Sequence, residues 1–326
     1  MRQINKTALV IFIVNIVLCG ASIIFLRPLG MALNPFSAPE PGLVELTRYE
    51  RYTVEPAWSP DGRWIVFESQ LEDPNPEKYA GHASELYIIA VDGAHRKRIT
   101  YSQHAGGQPA WSPDGQTIAF TDGTHICLMH PDGSRLACTP IPNAERLAWA
   151  PDGKSLAYDA GGNIYRLAVD AEMRRLLLPP VPVRQGAYAV WSPDSQCIAF
   201  SNAVGLSGGE VWAMRADGSN AVRLLSTPRD TYPFGWSPDG RFLFINRYGN
   251  GHSQFYAIRL SDGKEYRLSN TEEYHSAPAL SADGKRIAFH SLRDYGYNLY
   301  LMDVRGLPPS EPNASHGDCL PSRPGK

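Results

Sequence analysis

The sequence has almost no surplus of positive or negative charge. Its 326 residues include 31 Lys and Arg and 33 Asp and Glu, so the formal net charge is −2. Without a basic surplus, nucleic acid is not an expected partner. Outside one N-terminal run, no segment has a helical pattern. Gly and Pro together make about one residue in six, which is too few for low complexity but suits a fold rich in tight turns. These absences favour a globular, all-β protein.

A single long apolar run lies near the N-terminus. Residues Ala8–Leu26 contain no charge, and 19 residues are just long enough for a helix to cross a hydrocarbon core of ~30 Å. Arg2 and Lys6 precede the run, so the positive-inside rule predicts a cytoplasmic N-terminus. Residues 1–27 are therefore expected to form a membrane anchor, with lipid contacting residues 8–26 and the remainder outside the cytoplasm. A cleaved secretory signal, or a lipoprotein signal acylated at Cys19, are the alternatives.

Two flanking segments are rich in proline. Residues 28–42 carry four prolines and no periodicity, which predicts an extended linker. Residues 306–326 carry five prolines and are expected to be a disordered tail. The folded part is accordingly expected over residues 43–305.

Within that part, one unit recurs six times. The copies are PAWSPDGRWIVF, PAWSPDGQTIAF, LAWAPDGKSLAY, AVWSPDSQCIAF, FGWSPDGRFLFI and PALSADGKRIAF, and their Trp58, Trp111, Trp149, Trp191, Trp236 and Leu280 are separated by 53, 38, 42, 45 and 44 residues. That spacing is the length of one four-stranded propeller blade. Ser-Pro-Asp-Gly suits a tight turn between the first and second strands, and a second Asp-Gly turn follows the third strand.

The sixth copy has only three strands, and the missing strand is found at the start of the domain. Thr47 lies 11 residues before Trp58, as Thr100 lies 11 residues before Trp111. The segment around Thr47 is thus in phase with the outermost strands, and we expect it to complete the last blade and close a six-bladed ring. The five tryptophans are interpreted as packing residues between blades, since one blade alone cannot bury them.

These repeats resemble those of the TolB-type (PD40) propeller family, whose hallmark is a W-S-P-D-G turn followed by I-A-F. The resemblance covers residues 43–305 and implies a six-bladed propeller. Four positions depart from the pattern: Ala150, Ser195, Leu280 and Ala282. A non-glycine residue in a left-handed turn is strained by about 1 kcal/mol, so the fourth and sixth blades are expected to be the looser ones. The 42 residues before the propeller are expected to leave no room for the α/β domain that precedes the propeller in TolB.

Antiparallel topology predicts that the long connections gather on one face of the ring, which we call the loop face. Tyr and Arg, which are enriched at interaction hot spots, recur in these connections. The candidate binding residues are Tyr52, His104, Arg184, Tyr188, Arg229, Asp230, Tyr232, Glu273, Tyr274, His275, Arg293 and Tyr295.

Catalytic signatures are weak. Gly205-Leu206-Ser207-Gly208-Gly209 matches G-x-S-x-G but precedes a strand, whereas a nucleophile elbow must precede a helix. Peptidases with similar propellers carry a hydrolase domain, for which the 20 residues after Gly306 are expected to be too short. The loop-face histidines lack short ligand spacing, so neither a metal nor a cofactor is expected. Oligogalacturonate lyases, a related family, are metal-dependent, which leaves a propeller enzyme as the alternative function.

Two cysteines flank the second Asp-Gly turn of the second blade. If the hairpin turns at Asp132-Gly133, Cys127 and Cys138 lie opposite each other on adjacent strands. An exported protein could oxidise this pair to a disulfide, and two buried thiols are the alternative. Taken together, the sequence predicts a membrane-anchored propeller outside the cytoplasm that binds a protein, a peptide or a cell-wall glycan.

Overall fold

The computed structural model describes residues 42–47, 52–70, 84–101, 107–170, 175–202, 209–227, 229–249, 252–269, 274–293 and 296–309. Within these ranges the chain forms 24 β-strands, arranged as six four-stranded antiparallel sheets. None of the residues described is helical, and hence none of them belongs to a helix that could cross a membrane. The predicted anchor at residues 1–27 and the linker up to residue 41 lie outside the described residues.

Each sheet is one blade of the predicted ring, and strands are numbered along the chain. The first three blades contain β2 (Thr53–Trp58), β3 (Trp64–Ser69), β4 (Glu85–Ala90), β5 (Lys97–Arg98); β6 (Gly107–Trp111), β7 (Ile118–Thr121), β8 (His125–Met129), β9 (Arg135–Pro140); and β10 (Glu145–Trp149), β11 (Ser155–Ala160), β12 (Asn163–Asp170), β13 (Arg175–Gln185). Blades four and five contain β14 (Ala187–Trp191), β15 (Cys197–Ser201), β16 (Gly209–Arg215), β17 (Val222–Thr227); and β18 (Thr231–Trp236), β19 (Phe242–Gly249), β20 (His252–Arg259), β21 (Glu265–Arg267). Blade six contains β22 (His275–Leu280), β23 (Arg286–Arg293), β24 (Gly296–Asp303) and the N-terminal β1 (Val44–Glu45).

The ring is closed by the N-terminal strand, as predicted. Strand β1 pairs with β24, with Val44 opposite Leu301 and Glu45 opposite Tyr300. The innermost strand of blade six also packs against the innermost strand of blade one, in the same way as the other neighbouring blades. The described part of the chain is therefore an all-β, six-bladed propeller, and pairing β1 with β24 removes the exposed edges that an open array would leave.

The Ser-Pro-Asp-Gly turns are held by a repeated set of hydrogen bonds. In blade one, Ser59 Oγ donates to Asp61 at 2.6 Å and accepts the N–H of Trp64 at 2.9 Å. Blades two, four, five and six repeat this arrangement. In blade three, Ala150 replaces the serine, and the turn retains the hydrogen bond from the N–H of Lys154 to Asp152. The repeated polar residues thus specify the turn that joins the first two strands of each blade.

The departures from the repeat at blades four and six are accommodated locally. Ser195 has a left-handed φ of 61°, which is strained for a residue with a side chain. Its hydroxyl accepts the N–H of Asp152 in the turn of blade three at 3.0 Å, which offsets part of that strain. In blade six, Leu280 takes the place of the repeated tryptophan, and its side chain packs against Gly235 of blade five. A Cβ added at Gly235 would lie only 2.9 Å from Leu280 Cβ.

Four of the five tryptophans connect their blade to the preceding one. The indole N–H groups of Trp58, Trp149, Trp191 and Trp236 donate to the backbone carbonyls of Ala279, Ala110, Ala148 and Val190 at 3.0–3.2 Å. In each case the acceptor stands just before the Trp-equivalent residue of the neighbouring blade. Trp111 differs, because its buried indole N–H has no partner among the described residues.

Cys127 and Cys138 are register partners on β8 and β9 and are joined by a disulfide with an Sγ–Sγ distance of 2.03 Å. We expect the purified protein to contain this bond. Peptide mapping after alkylation without reduction should find neither cysteine labelled, and both should be labelled once a reductant is added. Labelling of both before reduction would show two buried thiols instead.

Candidate binding site in the central cavity

The innermost strands of the six blades surround a central cavity of about 680 Å³. Each of these strands contains an irregularity in its pairing two to four residues before its end. In five of the six strands, the residue three positions before the Trp-equivalent has a positive φ; these residues are Glu55, Gln108, Arg146, Tyr188 and Ala277, with φ of 43–59°. All five line the cavity.

These residues are strained as a set. A left-handed backbone costs a residue with a side chain about 1–2 kcal/mol, and such conformations concentrate at functional sites. In blade five the corresponding residue is Pro233, whose ring fixes φ near −65°, and the pairing irregularity there falls between Pro233 and Gly235. The bulge residues that line the cavity differ from blade to blade. Those of blades one to three are charged or polar and that of blade four is aromatic, so the cavity has two chemically distinct sides.

One side, formed by blades one to three, is lined by Glu55 and Arg146, and the carboxylates of Glu145 and Asp159 lie against Arg146. Arg146 donates to Glu145 at 2.6 Å and lies 3.7 Å from Asp159 Oδ2. Its guanidinium carbon stands 4.2 Å from the centre of the Tyr188 ring. Asp159 Oδ2 also accepts the backbone N–H of Tyr188 at 2.7 Å, which connects blade three to blade four. Gln108 accepts the N–H of Arg146 through its side-chain oxygen. Arg146 is therefore fully engaged by its neighbours.

Two carboxyl groups on this side have strongly raised pKa values. Burial raises the pKa of Glu55 to about 7, and the nearby charge of Glu68 adds to the effect while Arg146 opposes it. Burial likewise raises the pKa of Asp159 to about 7, against the opposing effects of the Tyr188 N–H and Arg146. Both groups consequently change charge near neutral pH.

The other side, formed by blades four to six, is a row of aromatic rings that we call the tyrosine row: Tyr188, Tyr232, Tyr248 and Tyr274. The rings of Tyr188 and Tyr232 stack with centroids 4.1 Å apart, and the two following steps along the row measure 5.5 Å and 5.7 Å. Tyr232 is buried, whereas Tyr274 at the end of the row is 40% exposed. The row thus leads from the cavity wall towards solvent.

Hydrogen bonds fix the hydroxyl groups of this row. The hydroxyls of Tyr232 and Tyr248 lie 2.7 Å apart, and Asn246 Nδ2 donates to Tyr232 at 2.9 Å. The hydroxyl of Tyr248 also lies 2.8 Å from Ser276 Oγ, which joins blade five to blade six. Burial raises the pKa of Tyr232 well above its ordinary value, so these hydroxyls stay protonated. The tyrosine row is a preorganised and neutral surface.

Of the residues that the sequence singled out, the structure brings three together here: Tyr188, Tyr232 and Tyr274. Arg229 and Asp230 are exposed in the connection between blades four and five, where Arg229 O accepts the N–H of Gly209 and Asp230 O accepts that of Tyr248. Tyr52 lies beside Tyr297, with ring centroids 6.0 Å apart. His104, Glu273 and Tyr295, and the side chain of Arg293, lie outside the described residues.

Two of those residues lie at the ends of strands rather than in connections. His275 is only 1% exposed and is packed between the rings of Phe255 and Phe289, so it is a core residue rather than a loop residue. Arg184 belongs to β13, the outermost strand of blade three, because that strand extends almost to the next blade. Its guanidinium carbon lies 5.7 Å from the Trp212 ring, away from the cavity.

Sequence reasoning missed Glu55, Arg146, Asp159, Asn246 and Tyr248. A signal for the first two was present, since aligning the six repeats shows that the third residue before the Trp-equivalent is Glu, Gln, Arg, Tyr, Pro or Ala, whereas the residue directly before it is Ala in four copies and Val or Gly in the others. The other three approach the cavity from second strands and required the structure. Among the described residues, no three His, Cys, Asp or Glu side chains are grouped as a metal site requires.

Comparison with known proteins supports the assignment of the fold. The profile of the TolB beta propeller domain family (PD40) matches residues 146–308. A segment of 80 residues, 24% of the chain, is 36% identical to the uncharacterized peptidase YuxL of Bacillus subtilis (strain 168) and covers 11% of it. A segment of 91 residues, 27% of the chain, is 34% identical to the Tol-Pal system protein TolB of Francisella tularensis subsp. tularensis (strain WY96-3418) and covers 21% of it.

Among solved structures, a putative TolB from Agrobacterium tumefaciens matches with a TM-score of 0.56 and 17% identity, over 81% of this chain and 97% of that chain. At this level of identity the likeness concerns the fold alone. The chain spans less than a quarter of the length of the two curated relatives, so their activities do not transfer with the repeats.

Proposed function

The chain belongs to the TolB beta propeller domain family, and on that premise we propose that it is a binding module that receives a segment of a partner protein at the loop-face mouth of its central cavity. The observation that carries this proposal is the pairing of a charged side with the tyrosine row around one cavity. Tyrosine and arginine are the residue types that contribute most to protein interfaces. The name of one relative, a component of the Tol-Pal system, agrees with a role in protein assembly.

The rigidity of the site favours recognition. The cavity wall consists mainly of strands, and hydrogen bonds in blades three to six already hold its residues. A preorganised surface loses little conformational entropy when a partner binds. We further propose that the apolar run at residues 8–26 keeps the propeller attached to a membrane and outside the cytoplasm, where a disulfide between Cys127 and Cys138 is compatible with the redox conditions.

Site-specific photocrosslinking tests this proposal. A benzoylphenylalanine that replaces Tyr274 is expected to form a covalent adduct with one segment of one partner in living cells, because Tyr274 stands at the solvent end of the tyrosine row. The matched control replaces Val181, which is 52% exposed on the outermost strand of blade three. A synthetic copy of the captured segment should then bind the purified protein. Equal adducts from both positions, or none from position 274, would contradict the proposal.

A propeller enzyme that acts on a polysaccharide is the second candidate. It is favoured by the pKa of about 7 at Glu55 and at Asp159, since such values suit general acid–base catalysis near neutral pH. Against it, Asp159 is only 3% exposed and one of its oxygens is occupied by the Tyr188 N–H. Release of new chain ends from a cell-wall polysaccharide that is lost in Glu55→Gln would favour the enzyme over the binding module.

A further inference from the structure

The carboxylate of Glu55 lines the central cavity, and the nearby charge of Glu68 and Glu145 acts on it. We infer that the partner segment inserts a cationic group, a lysine ammonium or an arginine guanidinium, between Glu55 and the tyrosine row. This inference rests on the proposed function and adds to it the chemical class of the group that is recognised.

Charge gives the first argument. The groups that face Glu55 from the neighbouring elements are Tyr52 before β2, Glu68 on β3, Glu145 and Arg146 on β10 and Tyr188 on β14. When ionised, three carboxylates, those of Glu55, Glu68 and Glu145, therefore stand against one guanidinium. A cation that enters this space is attracted, whereas an anion meets only an arginine that is already paired.

The state of Arg146 explains why it does not neutralise Glu55. Its guanidinium is held by Glu145 at 2.6 Å and by the Tyr188 ring at 4.2 Å, with Asp159 at 3.7 Å. Among the described residues, the Glu55 carboxylate has neither a hydrogen bond nor an ion pair. Its side chain nevertheless lines the cavity from a strained left-handed position. The Glu55 carboxylate therefore has no hydrogen-bond donor next to it, and a bound ligand can provide one.

Two buried acceptors give an independent second argument. Asp159 Oδ1 and Asn246 Oδ1 are buried and have no hydrogen-bond partner among the described residues, and their side chains are 3% and 0% exposed. The second polar atom of each points to a cavity residue, since Asp159 Oδ2 accepts from Tyr188 and Asn246 Nδ2 donates to Tyr232. Unsatisfied buried acceptors are costly, and because each of these two belongs to a residue bonded to a cavity-lining tyrosine, they favour a ligand rich in donors beside that lining. Ammonium and guanidinium groups carry three and five such donors.

Because Glu55 and Asp159 change charge near neutral pH, binding of a cationic group should depend on pH. Burial places the pKa of Glu55 and of Asp159 at about 7, so both carry less charge below pH 7 than above it. A cation pairs with the charged form. Affinity for a cationic segment should therefore rise as the pH increases from 5.5 to 8, which is a window that contains the titration of both groups.

Capped peptide libraries test the inference without knowledge of the partner. Heptapeptides with blocked ends are randomised at six positions and carry lysine, norleucine or glutamate at the centre, and the fraction retained on the immobilised protein is measured. Norleucine matches the length of lysine but has no charge. We expect the lysine library to be retained about tenfold better than the norleucine library at pH 8. A tenfold difference corresponds to about 1.4 kcal/mol of binding free energy, which is attributed to one ion pair. We expect most of this difference to disappear at pH 5.5.

Matched variants assign the effect to the cavity. Glu55→Gln should abolish the preference for lysine, while Glu265→Gln, which removes a carboxylate from the outermost strand of blade five, should retain it. A thermal melt of each variant verifies that it is folded.

The possible outcomes separate this inference from the proposed function. Equal retention of lysine and norleucine libraries would overturn the cationic group but leave a binding module. If no library is retained, the segment captured at position 274 is tested with its Lys and Arg residues replaced by norleucine. Loss of binding on this replacement supports the inference, and unchanged binding overturns it. Failure of both capture and retention would contradict the proposed function itself.

Discussion

Replacing Trp191 by alanine is expected to lower the free energy of unfolding by about 3–5 kcal/mol, which is the usual cost of truncating a large aromatic residue in a core. Trp191 is 8% exposed, packs among the apolar residues between blades three and four, and donates to Ala148 O at 3.1 Å. Loss of this contact removes both packing and a hydrogen bond. Thermal unfolding should show a decrease in Tm of about 10 °C for a domain of this size.

Trp111 provides the matched control, because its indole N–H has no partner among the described residues and its ring is partly exposed. Trp191→Phe should cost about 1 kcal/mol from the lost hydrogen bond, whereas Trp111→Phe should cost less. Trp111→Ala should also be milder than Trp191→Ala. If Trp191→Ala retained wild-type stability and lost only binding, the assignment of the tryptophans to packing between blades would be wrong.

Replacing Glu55 by glutamine is expected to stabilise the protein at pH 8 and to have almost no effect at pH 4.5. The pKa of Glu55 is about 7 in the folded protein and 4.5 ordinarily, so the folded state holds a proton that the unfolded state releases over this interval. Stability from this group is therefore present below pH 4.5 and is lost as the pH rises through 7. The shift corresponds to about 3 kcal/mol, the upper limit of the gain in the variant at pH 8.

The measurement is the difference in unfolding free energy between the variant and the wild type across the pH range. This difference isolates Glu55 from groups that act in the opposite direction, such as His290, whose pKa burial lowers to about 4. His290 destabilises the folded state as the pH falls below 6.5, when the unfolded chain takes up its proton. A flat difference for Glu55→Gln would show that the pKa of Glu55 is the same in the folded and unfolded states and is not raised.

Such a cost to stability has a functional meaning. A carboxylate without a partner in a strained left-handed position is destabilising on two counts, and glutamine would remove the charge without changing its shape. Stabilising substitutions at functional sites commonly reduce activity. The expected combination, a more stable Glu55→Gln variant that has lost its preference for cationic peptides, would identify Glu55 as a residue retained for binding.

Most of the fold could be predicted from the sequence, because it depends on residues that recur in every blade. The Ser-Pro-Asp-Gly turns specify their own hydrogen bonds locally, and the phase of Thr47 relative to Trp58 predicted the closing strand. The pairing of Cys127 with Cys138 followed from the position of a two-residue turn. Each of these inferences used contacts between residues close in sequence or equivalent in the repeat.

The candidate site could be predicted only in part, because it depends on residues that differ from one repeat to the next. The bulge residues differ from blade to blade, and only the structure shows that their positive φ turns them towards one cavity. Asp159 lies on a second strand and is connected to the cavity lining by the hydrogen bond that it accepts from the backbone N–H of Tyr188. His275 was misplaced for the converse reason, since Phe255 and Phe289, which bury it, belong to other strands. Periodicity locates the strands, but contacts between blades locate the site.

A crystal structure of the protein with the segment captured at Tyr274 tests the central claim most directly. The account predicts that the segment enters the cavity from the loop face and places an ammonium or guanidinium nitrogen within about 3 Å of the Glu55 carboxylate, the distance of a charge-assisted hydrogen bond. A segment bound along an outer strand, or at the face of the Ser-Pro-Asp-Gly turns with the cavity empty, would contradict it.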